Sequence, residues 1–161
     1  MKESRLSKMQ KIALSAVVAG TYIAVTLLLH PISFGIVQIR IGTALYALGF
    51  LFPFLIIPMG LANGFVNLFG TFGILDVVGG VAIGVIATGL CALVGRLHLP
   101  RLLVVPALVI SIGFIVPTWL SWQTGISYWF WVLSIGVSQI PSGVLGYGLL
   151  RAIESRIFTN S

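Results

Sequence analysis

Leu75-Asp76-Val77-Val78-Gly79-Gly80-Val81-Ala82-Ile83-Gly84-Val85-Ile86-Ala87-Thr88-Gly89-Leu90-Cys91-Ala92-Leu93-Val94-Gly95 carries one charged residue in 21 positions. A helix rising 1.5 Å per residue needs about 20 largely apolar residues to cross a bilayer core of about 30 Å. This stretch has that length, and Gly95-Arg96 closes it at a polar boundary. Asp76 stands at its other end, inside apolar sequence where an ionisable group is costly and tends to serve a function.

Composition extends that reading to the whole chain. Hydrophobic residues make up 58% of the 161 positions and charged residues 7%, and mean hydropathy is +1.14. Too few charges are available to cover a water-facing surface. A lipid-facing barrel needs short segments of alternating polarity, whereas the apolar runs here are long and continuous. The chain reads as an all-α, polytopic membrane protein, with residues 1–161 forming one integral-membrane domain.

Windows of about 20 residues place helices at about 10–29, 41–57, 60–70, 75–95, 101–120 and 128–151, six spans in all. Pro58 ends the second, and the third is short and glycine-rich, broken by Gly70 to Gly73. The basic amino terminus resembles a signal-peptide n-region. Its apolar stretch is longer than an h-region, however, and Leu28-Leu29-His30 offers no small-x-small cleavage site, so the first helix is expected to be retained.

Six spans put both termini on one side. With that side cytoplasmic, Lys2, Arg5, Lys8, Lys11, Arg96, Arg101, Arg151 and Arg156 lie inside and only Arg40 outside. Eight of the nine basic residues then obey the positive-inside rule. The net charge of +6 therefore reads as topology and not as nucleic-acid binding. Arg40 and Asp76 fall together on the external side.

These two charges either neutralise each other and pin loops, or line an external cavity for a polar solute. Asn63 and Asn67, four apart, share a helix face and offer donors and acceptors suited to a heterocyclic base or to interhelical packing. Gly60 and Gly64 permit close helix approach. All four tryptophans, Trp119, Trp122, Trp129 and Trp131, lie within residues 119–131, as an interfacial belt or as stacking surfaces for a flat ligand. Gln139 and Ser142, beside Pro141, can bond broken helix backbone or a ligand. Ala16-x-x-x-Gly20-x-x-x-Ala24 forms a small-residue stripe, for which packing inside the bundle is the default. Cys91, without a partner for a disulfide, reads as packing. His30 and His98 are single and widely separated, and no nucleotide-binding loop, catalytic triad or metal motif appears. An intramembrane enzyme would need several ionisable groups converging at one depth, and the chain supplies little beyond Asp76 and His30.

Several segments together carry a resemblance: Ala19-Gly20-Thr21-Tyr22-Ile23-Ala24-Val25-Thr26; Pro31-Ile32-Ser33-Phe34-Gly35-x-x-Gln38-Ile39-Arg40; Gly60-x-x-x-Gly64 with Asn63 and Asn67; and Phe72-Gly73-Ile74-Leu75-Asp76. The chain resembles the QueT-type substrate-capture (S) components of energy-coupling factor transporters, assigned to queuosine precursors or related 7-deazaguanines. The resemblance spans most of the chain and is strongest over 19–90. It implies a six-helix subunit that is not an enzyme and holds no cofactor. It would sit in the cell membrane and dock on a coupling transmembrane subunit, with two cytoplasmic ATPases hydrolysing the ATP. It also implies that Ala16, Gly20 and Ala24 face the coupling subunit. Solute is expected to contact Arg40, Asp76, Asn63 and Asn67, with Gln38, Phe34, Trp119, Trp122 and Gln139 around them. Typical members follow the arginine with Ser-Glu-Ala-Leu, where this chain has Gly42-Thr43-Ala44-Leu45. Thr43 replaces the glutamate, which leaves Asp76 as the acid for an amino-pyrimidinone edge. Capture of a different vitamin and a purely structural membrane subunit are the alternatives.

Overall fold

The computed structural model describes residues 6–33, 40–70 and 72–159, and for Ile32 and 157–159 the backbone only. These residues form helices α1 (Lys8–Leu28), α2 (His30–Ser33), α3 (Ile56–Asn67), α4 (Gly73–Arg96), α5 (Val104–Thr124) and α6 (Tyr128–Thr159). Ile41–Phe50 forms a 3₁₀ helix, and further 3₁₀ turns, Pro53–Leu55 and Arg101–Leu103, lead into α3 and α5. No strand occurs among the described residues.

Lys8–Leu28, Gly73–Arg96, Arg101–Thr124 and Tyr128–Arg156 are long and apolar enough to cross a membrane. The two shorter apolar helices, Ile41–Phe50 and Pro53–Asn67, correspond to the second and third expected spans. Their boundary differs from expectation: the chain turns at Leu51 and Phe52, and Pro58 lies in the first turn of α3. The first-turn N–H of a helix has no intrahelical acceptor, so proline there removes no bond and does not end the helix. The last helix continues eight residues past the expected limit of 151, to Thr159.

Local sequence explains the helix ends. Ser7 caps α1 by accepting from the Gln10 backbone N–H at 3.2 Å, while the Gln10 side chain accepts from the Ser7 N–H at 2.9 Å, a closed capping box. Gly125 terminates α5 in the left-handed region at φ +70° and donates to Ser121 O.

The 3₁₀ helix is the centre of the bundle and packs against α6, α4 and α1. Gly42, Thr43, Ala44, Tyr46, Ala47, Leu48 and Gly49 are all buried. At about 2.0 Å rise per residue, ten residues reach about 20 Å, where an α-helix would reach about 15 Å. A short segment thereby extends deep into the bundle.

Glycine sets the tightest crossings. A Cβ on Gly84 would lie 2.8 Å from Gly60 Cα, and one on Gly64 would collide with Val81. The α3–α4 crossing thus uses the Gly60 and Gly64 face read from sequence. A Cβ on Gly113 would stand 3.0 Å from Gly136 Cα, which sets the α5–α6 crossing. The stripe on α1 behaves differently. Ala16, Gly20 and Ala24 are exposed, and nothing lies within 4 Å of a Cβ built on Gly20. Packing within the bundle is carried by the opposite face, Val18, Tyr22 and Thr26.

The bundle has two distinct ends. At one, Arg101 pairs with Glu154 at 2.6 Å, Lys11 stands 5.5 Å from the Phe54 ring centroid, and Gly95 abuts Phe50, next to Arg96. At the other, the His30 Nε2–H donates to Phe69 O at 2.9 Å, and the Gln123 amide donates to Phe72 O at 2.7 Å. Lys11, Arg96 and Arg101 gather at the first, and Asp76 belongs to the second.

Candidate functional site

Arg40, Thr43 and Tyr46 recur every third residue. A 3₁₀ helix has three residues per turn, so residues at that spacing eclipse. All three line one small cavity, closed by Asn63 of α3, Ile83 of α4, Ile112 and Val116 of α5, and Ile135 and Gln139 of α6. The cavity measures about 20 Å³, room for about one water molecule.

Asn63 is the hub of the polar groups around it. Its Oδ1 accepts from Tyr22 OH at 2.8 Å and from Arg40 Nη1 at 3.2 Å, and its Nδ2 donates to Gly80 O at 2.8 Å. Tyr46 OH donates to Tyr22 OH at 3.0 Å, and the two rings stack with centroids 5.4 Å apart. One amide therefore ties α1, Arg40 and α4 together. With both ends engaged, Asn63 is a positioning residue for Arg40.

The Arg40 carbonyl is the second anchor. It accepts from Thr43 N at 2.9 Å, from Thr43 Oγ1 at 2.6 Å and from Ser142 Oγ at 3.0 Å. Thr43 Oγ1 also lies 2.7 Å from the Gln139 amide. A hydroxyl has one proton, so Arg40 O and Gln139 Oε1 share the Thr43 O–H as alternative acceptors. Gln139 and Ser142 thus both reach across to the 3₁₀ segment. The Thr43 hydroxyl organises the backbone at Arg40.

Asp76 sits in the first turn of α4, 3% exposed. Its Oδ1 accepts from Trp119 Nε1 at 3.0 Å, and its Oδ2 is buried without a partner. Asn67 donates from Nδ2 to Asp76 O at 2.8 Å, which leaves its own buried Oδ1 unpartnered. Arg40 and Asp76, expected to oppose each other, are not an ion pair, because the guanidinium reaches Asn63 and the carboxylate takes the indole N–H. They belong to adjoining clusters linked by successive turns of α3, through Asn63 and Asn67.

Sequence reading missed three residues of this region. Gln123, one turn after Trp119 on α5, donates to Phe72 O and keeps a buried, unpartnered Oε1. Its place four residues from Trp119 was the available signal. Tyr22 and Tyr46 lie within apolar helices, and only the fold shows that their hydroxyls meet. Trp131, read with the other tryptophans as belt or stacking surface, is buried, donates to Thr124 Oγ1 at 3.1 Å and meets Phe72 edge-on at 6.4 Å. Trp122 is 77% exposed and points away from both clusters. At 100° per residue, the α5 face that buries Val116 and Leu120 and turns Trp119 and Gln123 inward sends position 122 outward. Phe34 and Gln38 lie outside the described residues.

The arrangement suits a small polar solute. Buried polar atoms are normally satisfied, and three acceptors here, Asn67 Oδ1, Asp76 Oδ2 and Gln123 Oε1, are not. Such atoms match a ligand rich in N–H groups. Among the described residues no group of His, Cys, Asp and Glu could hold a metal ion.

Comparison with protein families matches the chain to the family described as QueT transporter, over residues 12–155. Neither the curated proteins nor the solved structures compared yield a match. The matched stretch runs from α1 into α6 and contains both polar clusters, and the chain belongs to the QueT transporter family.

Proposed function

We propose, with membership of that family as the premise, that this chain is the S component of an energy-coupling factor importer. It captures a small planar solute, a queuosine precursor or related 7-deazapurine, from outside the cell membrane. A coupling transmembrane subunit and two cytoplasmic ATPases drive its uptake. The single observation that carries the reading is the set of buried, unpartnered acceptors around Asp76. The amino-pyrimidinone edge of a 7-deazaguanine presents N–H donors, and a carboxylate accepting two of them gives the planar recognition such an edge requires.

The cavity beside Arg40 holds about one water. A bicyclic base needs more space, so capture requires the walls to part. The 3₁₀ segment, which carries three of the lining residues, is the element whose displacement opens it. Both termini face the cytoplasm in a six-span arrangement, with Ile41–Phe50 and Pro53–Asn67 as the two short spans. Ala16, Gly20 and Ala24, exposed on α1, are the surface offered to the coupling subunit.

Thermal-shift screening of the purified chain against purines, 7-deazapurines and B vitamins tests the reading. A queuosine precursor or another 7-deazaguanine should raise Tm in a concentration-dependent way, and Asp76→Ala should abolish the shift. A vitamin that shifts Tm when no purine-like compound does would overturn the substrate assignment. It would leave the transport reading standing.

A further inference from the structure

At the basic end of the bundle, an open groove of about 480 Å³ runs between α4 and α5. Leu90, Leu93 and Leu97 form one wall, and Leu103, Ile110 and Phe114 form much of the other. That volume falls within the roughly 300–1,000 Å³ of small-molecule sites, so the groove can seat a ligand. Its lining is almost wholly apolar. The one polar side chain in it, Ser111, already donates to Ala107 O at 2.6 Å.

The groove's end is cationic. Arg96, the last residue of α4, directly precedes the groove residue Leu97 and so stands beside the mouth. It is exposed, and among the described residues no carboxylate pairs with it. His98, exposed between the groove residues Leu97 and Leu99, adopts φ 55° at the end of α4. Arg101 follows and remains half exposed while pairing with Glu154. An apolar channel in the membrane with basic groups at its polar end matches a single chemistry.

We propose that this groove is a site for an anionic phospholipid, with an acyl chain between α4 and α5 and the headgroup phosphate on Arg96 and His98. A polypeptide occupant in extended form would bring backbone N–H and C=O groups that the groove cannot satisfy. An acyl chain brings none. Apolar burial does not discriminate among lipids within a bilayer, so selectivity comes from charge, roughly fivefold for each basic side chain near the headgroup. The site is independent of the solute clusters at the other end.

The test is native mass spectrometry of the full chain in detergent, titrated with palmitoyl-oleoyl phosphatidylglycerol or the phosphatidylcholine of the same chains. One phosphatidylglycerol should be retained per chain in preference to phosphatidylcholine, and Arg96→Gln should lower that preference about fivefold. Ile110→Trp, at an exposed lining position, should fill the groove and reduce retention of both lipids. Val144→Trp, exposed on α6 outside the groove, should leave retention unchanged. Equal retention of the two lipids, or unaltered retention in Ile110→Trp, overturns the proposal. So does a chain that holds no lipid and runs instead as a dimer that Ile110→Trp dissociates.

Discussion

Asn63 and Asp76 divide the labour of the polar interior between them. Asn63 is engaged at both ends by Tyr22, Arg40 and Gly80, so its removal takes a partner from three groups. Asn63→Ala should cost about 2 kcal/mol, a fall in Tm of roughly 4–8 °C measured in detergent. An unchanged Tm would remove it as the hub. Asp76 holds one bond from Trp119 and keeps a free oxygen, the signature of a group that reserves capacity for something else. Asp76→Asn keeps the size and turns half of the carboxylate into a donor, so the fold should survive while solute affinity drops at least about tenfold. Both residues were legible as polar anomalies in apolar sequence. Their division of labour was not, because hydrogen-bond partners up to 43 residues away depend on packing that periodicity does not encode.

Among the elements, the 3₁₀ helix is the one the sequence concealed. Over ten almost wholly apolar residues, periods of 3.0 and 3.6 cannot be told apart, so Ile41–Phe50 reads as an ordinary span. Its geometry matters because it aligns Arg40, Thr43 and Tyr46 on one cavity wall. The α3–α4 crossing was more legible, since glycines spaced by four announce close approach. That crossing allows a paired test on α4. Gly84→Ala places a methyl 2.8 Å from Gly60 Cα and should destabilise by about 1–3 kcal/mol. Gly89→Ala meets nothing within 4 Å and should be neutral or stabilise by up to about 1 kcal/mol. Equal effects in thermal denaturation would contradict the assigned packing. On α1, Gly20→Trp projects into open space, so solute binding should persist while uptake in cells is lost. Loss of both would place the defect in the fold instead.

For the whole molecule, charge segregation was the strongest message in the sequence, and the structure carries it into three dimensions. Arg101–Glu154 and Lys11 over Phe54 mark one end, while His30–Phe69 and Trp119–Asp76 mark the other. The proposed orientation puts the second end outside. Cysteines introduced by Leu99→Cys and Ile126→Cys, exposed at opposite ends, test it against a silent background, because the native Cys91 is buried. In intact cells a membrane-impermeant thiol reagent should label Ile126→Cys and spare Leu99→Cys, and the reverse pattern would invert the topology. Length and hydropathy single out four helices, and the proposed six-span count adds the two shorter apolar ones, Ile41–Phe50 and Pro53–Asn67. Co-purification of the chain with a coupling subunit and two ATPases should follow if it serves as an S component. The central claim is that Asp76 reads the donor edge of a purine-like solute, and isothermal titration of a 7-deazaguanine base into the purified chain and its Asp76→Ala variant tests it most directly. Saturable one-to-one binding to the native chain, weakened at least about tenfold in the variant, is the predicted result; equal affinity in both, or no binding to a correctly folded native chain, would contradict it.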